Sequence, residues 1–229
     1  MSILALFDMD GTLVTGQRTA HWRAFAQAWK SVYKIDHLNF DLNDMKVWHR
    51  HEGKTDSGVL FDVAKDNGIR NPLSKLEDAI LAMDYSYAKR KVVTRALPGV
   101  PKLVKALAKN DICLGLVTGN LEPIARKKLK LIGLNSSFPV GGFGNDSRKR
   151  SDLVRIAIRR AAKLYGKHFS EVFLFGDTPR DIEAAKESNV KCIAVATGPF
   201  SLESLKNCAP FAVLPDLTDI KKVLSLLNG

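Results

Sequence analysis

Short apolar runs alternate with amphipathic stretches along most of the chain. The runs rich in Ile, Leu, Val and Phe are too short for helices and end at turn-forming residues, which is typical of strands buried in a parallel sheet. They cover residues 2–7, 112–117, 172–175 and 191–196. Helical periodicity fills residues 100–108, 121–131 and 152–164, and a short helix at 202–205, an edge strand at 211–214 and a helix at 217–227 follow. The alternation predicts an α/β fold with a Rossmann-like parallel-sheet core.

Residues 16–93 show a different pattern. Trp22, Phe25 and Trp29 share one face of an expected helix over residues 19–33, and helical segments follow at 56–67 and 74–91. This stretch has no convincing strand. The sequence therefore predicts a core made of residues 1–15 and 94–229, interrupted by an inserted all-helical cap domain of residues 16–93.

Two carboxylates stand directly after the first strand. Asp8 and Asp10 flank Met9, and Gly11 then breaks the strand. Ligands of open α/β sheets bind beyond the carboxyl ends of the strands, so both side chains would lie at the mouth of a crevice. Like charges about 4 Å apart repel by about 4 kcal/mol at an effective dielectric of about 20, so a cation or a proton must separate them. Mg²⁺ prefers such oxygens and accepts further ligands from a phosphate, whereas a solvated turn is the plainer alternative.

A second acidic pair follows the strand that ends at residue 175. Asp177 comes after Gly176, and Asp181 lies one helical turn later, with Pro179 at the expected helix start. The two carboxylates can therefore face one cleft. Two strands that both end in paired negative charge favour a shared metal site over two unrelated acidic turns.

Thr118, Gly119 and Asn120 end the strand at 112–117 and precede the helix at 121–131. A hydroxyl group together with amides at a helix N-terminus makes an anion site, because the backbone geometry and the helix dipole act in the same direction. These three residues are candidate phosphate ligands, and an ordinary turn is the alternative.

Together these segments resemble the motifs of the haloacid dehalogenase (HAD) superfamily. The first motif is similar to Asp8-Met9-Asp10-Gly11-Thr12-Leu13-Val14, the second to a strand that ends in Thr118, and the fourth to Gly176-Asp177-Thr178-Pro179-Arg180-Asp181. The helical insertion is similar to the family's cap, which closes over the site and selects substrates.

The resemblance implies roles for these residues. Asp8 would be the nucleophile that forms an aspartyl-phosphate, and Asp10 the general acid and base, with its backbone carbonyl on the metal. Thr118 would bind the transferred phosphoryl group. The expected Mg²⁺ ligands are Asp8, Asp10, Asp177 and Asp181.

The third HAD motif is a Lys or Arg that offsets charge on the phosphoryl group. Arg148-Lys149-Arg150 stands at the corresponding place, before a helix that Ser151 could cap. The segment departs from the common K-P-x-P form. Arg150 is the first choice for this catalytic cation and Lys149 the second.

The cap contains one loop with a functional pattern. Gly53-Lys54-Thr55-Asp56 resembles the G-[RK]-T-D segment of phosphoglycolate-phosphatase-like members, whose cap loop faces the active site, so Lys54 and Thr55 are candidate substrate ligands. The compatible alternative is a helix start with Thr55 or Asp56 as N-cap. Nearby His49 and His51 lack a third ligand at metal-site spacing.

The composition restricts the location and the partners. The net charge of +11 favours anionic substrates, although basic residues in the helix at 152–164 alternate with apolar ones as on a solvated helix face. No apolar run approaches the roughly 18 residues that span a bilayer, and no signal peptide is apparent. Cys113 and Cys192 lie in apolar runs and Cys208 completes an odd number, which favours reduced thiols and a cytoplasmic protein.

The expected function is a Mg²⁺-dependent phosphatase acting on a small-molecule phosphate ester, phosphoglycolate-like or a sugar phosphate, through an aspartyl-phosphate. A phosphosugar mutase would use the same aspartates. A dehalogenase would need neither Asp10 nor a metal ligand at Asp177. A basic nucleic-acid-binding protein is the alternative from another class, and the absence of a recognised binding motif disfavours it.

Overall fold

A six-stranded parallel sheet forms the centre of the molecule, with strand order β5-β4-β1-β6-β7-β8. The computed structural model describes residues 2–16, 18–36 and 51–228. The strands are β1 (Ile3–Phe7), β2 (Val14–Gly16), β3 (Thr94–Ala96), β4 (Cys113–Val117), β5 (Gly141–Gly142), β6 (Glu171–Gly176), β7 (Lys191–Val195) and β8 (Ala212–Leu214). The predicted α/β fold with a Rossmann-like parallel-sheet core is confirmed.

Helices cover both faces of this sheet. The described α-helices are Thr19–Ala28, Asp56–Asp66, Leu76–Ala88, Val100–Lys109, Glu122–Leu131, Arg150–Tyr165, Pro179–Glu187, Leu202–Asn207 and Ile220–Asn228. Shorter helical turns lie at Trp29–Tyr33, Pro72–Lys75 and Asn135–Ser137. Among the described residues, no helix combines the length and the apolar character needed to cross a bilayer.

β1 is apolar throughout because both of its faces are buried. Ala5 and Phe7 pack into a cluster with the helices Val100–Lys109 and Ile220–Asn228, whereas Leu4 and Leu6 pack on the other side with the helix Arg150–Tyr165. Burying a side chain the size of Leu or Phe contributes about 1.5–3 kcal/mol. The central strand is thus held between two cores.

The strand register brings three loops to one point. Phe7 pairs with Leu116 of β4 on one side and with Phe175 of β6 on the other. In a parallel sheet the carboxyl ends of neighbouring strands lie at the same edge, so the residues that follow β1, β4 and β6 meet there. The amide of Asp8 extends this ladder by donating to the carbonyl of Phe175 at 2.8 Å.

The helices before β3 pack around a separate apolar cluster. This cluster includes Phe25, Trp29, Leu60 and Met83, and Ile124 joins it from the helix Glu122–Leu131. An antiparallel ribbon of β2 and β3 lies at the base of this helical part. The predicted boundary at 15/16 falls within β2 and the one at 93/94 directly before β3, and the sequence pattern did not indicate this ribbon.

The helix expected over 19–33 is confirmed in its extent. It is α-helical to Ala28, continues as a π-helical turn over Trp29–Tyr33 and ends at Lys34 with a left-handed φ of 62°. One local prediction was wrong. Ser151 does not cap the next long helix, because that helix begins at Arg150 and has Lys149 at its N-cap. By contrast, Thr55 is an N-cap as predicted, since its Oγ1 accepts from the amide of Gly58 at 3.1 Å.

The cysteines are free thiols, and Cys113 and Cys192 are buried as expected. Burial raises the pKa of both thiols. These side chains therefore behave as apolar core residues.

Candidate active site

Three buried carboxylates meet at the carboxyl edge of the sheet. Asp8 follows β1, Asp177 follows β6, and Asp181 lies in the first turn of the helix Pro179–Glu187. One carboxylate oxygen from each lies within 4.8 Å of the other two. The parallel register of β1 and β6 therefore brings together side chains that are far apart in sequence.

Burial of these carboxylates disfavours their charged forms. It raises the pKa of Asp8 to about 7, an effect that Asp181 increases and that the Arg150 guanidinium opposes. Burial, followed by the charges of Asp8 and Asp181, raises the pKa of Asp177 well above its usual value. When all are ionised, the three carboxylates and Arg150 leave two negative charges. This donor set fits a hard divalent cation such as Mg²⁺.

Asp181 is held rigidly by neighbouring donors. Its Oδ1 accepts from Nε and Nη2 of Arg150 at 2.9 and 2.6 Å. Its Oδ2 accepts from the amide and the hydroxyl of Thr178 at 3.1 and 2.6 Å, as part of a capping box. These bonds fix Asp181 against the ion site in one orientation.

Arg150 connects Asp181 to Asp8. Its Nη2 also donates to Oδ1 of Asp8 at 2.7 Å, and its side chain is buried. Lys149 points elsewhere, because its ammonium pairs with Glu187 at 2.9 Å and 59% of its side chain is exposed. The structure therefore places Arg150, and not Lys149, beside the expected nucleophile.

The carboxylate of Asp10 is not part of the cluster of Asp8, Asp177 and Asp181, although Asp10 lines the same cavity as Asp8 and Asp177. The ammonium of Lys128 contacts Oδ1 and Oδ2 of Asp10 at 2.8 and 2.6 Å, and Nδ2 of Asn120 donates to Oδ2 at 2.8 Å. Burial would raise the pKa of Asp10, but the charge and hydrogen bonds of Lys128 outweigh it and, with His21 and Asn120, lower the pKa to about 2. Of the predicted metal ligands, Asp10 could thus contribute only its backbone carbonyl, as the resemblance implies.

Thr118 lies fully buried at the end of β4. Its Oγ1 accepts from the amide and from Nδ2 of Asn120 at 3.2 and 2.9 Å. The amides of Gly119 and Asn120 were expected to bind an anion, but Asn120 N already donates to Thr118. Of the following amides, Leu121 N donates to Asp56 and Glu122 N to Asn145. The helix N-terminus is therefore largely capped by protein, and Thr118 and Gly119 remain nearest to an incoming anion.

A cavity of about 120 Å³ lies between the carboxyl edge of the sheet and the helical part. Its lining from the core includes Asp8, Asp10, Thr118, Gly119, Asn120, Lys128, Arg150 and Asp177, and from the helical part Arg18, His21, Trp22, Phe25, His51, Glu52, Gly53, Lys54, Asp56 and Val59. Charged groups thus line one wall, and aromatic rings contribute to the other.

Comparison with known proteins agrees with this arrangement. The family described as haloacid dehalogenase-like hydrolase matches residues 4–189. The chain belongs to the haloacid dehalogenase-like hydrolases. The prediction of an enzyme, a hydrolase of this family, is thereby confirmed.

Individual relatives of this hydrolase match it along most of its length. A phosphoglycolate phosphatase of Synechococcus elongatus is 25% identical over 97% of both chains, and one of Aquifex aeolicus is 27% identical over 87% of both. The crystal structure of a hydrolase from Pseudomonas syringae superposes with a TM-score of 0.71 at 21% identity, over 97% of each chain. These matches extend through both the sheet and the helical part.

The predicted cap ligands of the hydrolase separate in the structure. Lys54 lines the cavity, although its ammonium pairs with Asp62 at 2.7 Å. Thr55 is absent from the lining and instead donates to the carbonyl of Arg148 at 3.2 Å. His49, considered above as a metal ligand, lies outside the described part of the chain.

Sequence reasoning missed two parts of the hydrolase site. The first is Lys128, which falls four residues after Ile124 and three after Ala125 on the buried helix face, a spacing that could have identified it. The second is the turn at Gly198. A Cβ at Gly198 would lie 1.7 Å from Oδ2 of Asp177, so this turn packs directly on the acidic cluster.

Proposed function

We propose that this hydrolase is a Mg²⁺-dependent phosphatase that acts on small phosphate monoesters through an aspartyl-phosphate at Asp8. The observation that carries the proposal is the contact between Asp8 and Arg150 inside the buried cluster with Asp177 and Asp181. A nucleophile, a fixed cation and a divalent-ion site are the parts that phosphoryl transfer requires.

The reaction proceeds in two displacements. The carboxylate of Asp8 attacks phosphorus and the ester oxygen leaves, taking the proton that Asp10 carries when the negative charge of the bound phosphate raises its pKa. Water then gives its proton to Asp10 and attacks the phosphorus of the acyl phosphate, which releases phosphate and restores Asp8. Arg150, Thr118 and the Gly119 amide bind the phosphoryl oxygens during both steps.

Asp8, Asp177 and Asp181, with the Asp10 backbone carbonyl, would hold the Mg²⁺. When bound, the ion supplies positive charge that keeps Asp8 ionised near neutral pH and neutralises the phosphoryl group. Without that charge, burial keeps the pKa of Asp8 at about 7.

The size of the cavity supports a small substrate. A volume of about 120 Å³ lies below the roughly 300–1,000 Å³ of pockets that hold drug-sized ligands. The names of the two relatives above point in the same direction, because phosphoglycolate is a two-carbon ester. We therefore propose a compact alcohol as leaving group.

Phosphate release from an aryl phosphate tests the proposal. The wild-type protein should require Mg²⁺ and lose activity with a chelator, and Asp8→Asn should lower kcat by at least about 10³-fold. Asp219→Asn serves as the matched control, because Asp219 is an exposed carboxylate in the α/β part of the chain. It should keep full activity. Undiminished turnover by Asp8→Asn would refute the nucleophile.

Incubation with sugar phosphates tests the mutase alternative. A phosphatase releases inorganic phosphate in proportion to substrate loss. Isomer formation without phosphate release would overturn the hydrolytic assignment in favour of a mutase.

A further inference from the structure

Asp56 lies between the loop after β4 and the first helix, and helix capping does not explain its buried carboxylate. Thr55 already caps the helix Asp56–Asp66, so the Asp56 carboxylate is not needed for that purpose. Asp56 is nevertheless only 5% exposed. A buried carboxylate must be compensated by donors, and those donors show what it connects.

One side of Asp56 is bonded to the loop after β4. Its Oδ2 accepts from the amide of Leu121 at 2.9 Å, and its own amide donates to the carbonyl of Gly119 at 2.7 Å. These two bonds bracket the segment from Gly119 to Leu121, directly after Thr118. Asp56 therefore holds the backbone that would bind the phosphoryl group.

The approach of the two loops is close. A Cβ at Gly119 would lie 2.2 Å from the carbonyl oxygen of Lys54 and 3.2 Å from the Cα of Thr55. Glycine is required here because only hydrogen separates the loops. The segment carrying Asp56 is thus in direct backbone contact with the phosphate-binding loop.

The other oxygen of Asp56 is bonded to the first helix of the helical part. Its Oδ1 lies 2.9 Å from Nε2 of His21, which lines the cavity. The His21 ring is packed between Phe25 and Tyr87, with ring centroids 5.2 and 5.8 Å away. Since an ionised carboxylate only accepts, Nε2 of His21 must carry the hydrogen.

We propose that Asp56 is a positioning residue, which aligns the phosphate-binding loop with the helical wall of the cavity. The inference rests on the proposed phosphatase function. Amides held in advance stabilise the transition state more than the ground state, so loss of this alignment lowers kcat more than it raises KM.

Substitutions of Asp56 and of His21 separate the contribution of the bond to Leu121 from that of the bond to His21. Asp56→Ala removes both side-chain bonds and should lower kcat by about 30-fold with KM changed less than about 3-fold. Asp56→Asn can still accept from Leu121, but its NH2 group would have to donate to Nε2 of His21, which replaces a bond to a carboxylate by a weaker neutral one. His21→Leu removes that bond from the opposite side. Each should lower kcat by about 5-fold, and the double variant should be no worse than either alone, because they break one contact.

Asp78→Asn is the matched control. Asp78 is an exposed carboxylate in the first turn of the helix Leu76–Ala88. It should leave kcat, KM and vanadate inhibition unchanged.

Orthovanadate inhibition provides a second readout. Asp56→Asn should weaken inhibition by vanadate, which resembles the transition state, more than inhibition by inorganic phosphate. Equal weakening of both ligands, or a rise in KM with kcat preserved, would overturn the proposal. Thermal unfolding identifies variants that fail to fold, and His21→Leu then supplies the test without any change at Asp56.

Different results would refute the phosphatase function and the positioning role of Asp56. A wild-type protein that releases no phosphate from any ester refutes the proposed function. An active wild-type phosphatase whose folded Asp56→Ala variant keeps its kcat refutes the positioning role alone.

Discussion

The ammonium of Lys128 lies 2.6 Å from Oδ2 of Asp10 and contacts Oδ1 at 2.8 Å. The same ammonium donates to Oδ1 of Asn120 at 2.8 Å, so its hydrogens are all directed to acceptors. A buried lysine therefore holds the expected acid–base carboxylate by both oxygens.

Removal of Lys128 should change both the pKa and the orientation of the Asp10 carboxylate. In Lys128→Met, loss of the positive charge raises the pKa of Asp10 from about 2 and frees its side chain to rotate. We expect kcat to fall by about 10-fold or more. The alkaline limb of the pH–rate profile, which reports the proton that Asp10 donates, should move to higher pH. The profile measured with an aryl phosphate checks both effects.

Lys130→Met is the matched control for this change, because Lys130 is an exposed lysine on the same helix. It should leave the profile unchanged. A Lys128→Met profile that superposes on the wild type would show that the ion pair has no influence on Asp10.

Arg150 and Lys149 should differ sharply although they are adjacent. Arg150→Met leaves Asp8 and Asp181 buried without their cation, which should cost the metal-free protein about 3 kcal/mol or more of unfolding free energy and abolish activity. Lys149→Met removes a half-exposed surface pair, so it should leave the free energy of unfolding nearly unchanged and activity retained.

Urea unfolding in a chelator, together with phosphate release in Mg²⁺, measures both variants. If Lys149→Met were inactive and Arg150→Met active, Lys149 and not Arg150 would be the catalytic cation.

Removal of metal should make stability depend on pH through Asp8. Its folded pKa is raised from 3.8 to about 7, so the folded state retains a proton that the unfolded state loses. This contribution to stability is fully present below about pH 4 and is lost as the pH rises towards about 7. The metal-free protein should therefore melt at a higher temperature near pH 5.5 than near pH 7.5, and Mg²⁺ should stabilise it more at the higher pH.

Asp8→Asn serves as the control for this pH effect, since it cannot titrate. Thermal melts with chelator and with Mg²⁺ should show a smaller pH dependence in this variant. Identical curves for the variant and the wild type would assign the effect to other groups.

A methyl group at Gly198 should disturb the ion site. The added Cβ would meet Oδ2 of Asp177, so Gly198→Ala must displace that carboxylate. We expect the Mg²⁺ concentration for half-maximal activity to rise by about 10-fold.

Gly68→Ala separates this effect from the general cost of replacing glycine, because a Cβ there meets nothing within 4 Å. It should lower stability by about 1 kcal/mol, since Gly68 has a positive φ, without changing the Mg²⁺ dependence. Equal Mg²⁺ dependence in both variants would contradict the role of Gly198.

Local pattern was sufficient for the sheet and for the residues at its edge. β1 and β6 are continuous apolar runs followed by Asp8 and Asp177, and a parallel sheet must bring such ends together. The chemistry of paired carboxylates then pointed to a divalent ion before any contact was known.

Tertiary structure alone decided which charged side chains serve that site. Lys128 and Asp10 are 118 residues apart, Arg150 and Asp8 are 142 apart, and Asp56 and Leu121 are 65 apart. Helical periodicity shows which face of a helix is buried, but it carries no information about the partner across the interface. The position before the helix made Arg150 the first choice and Lys149 the second. Only the packing of the helix Arg150–Tyr165 shows that Arg150 is buried against Asp8 while Lys149 is exposed.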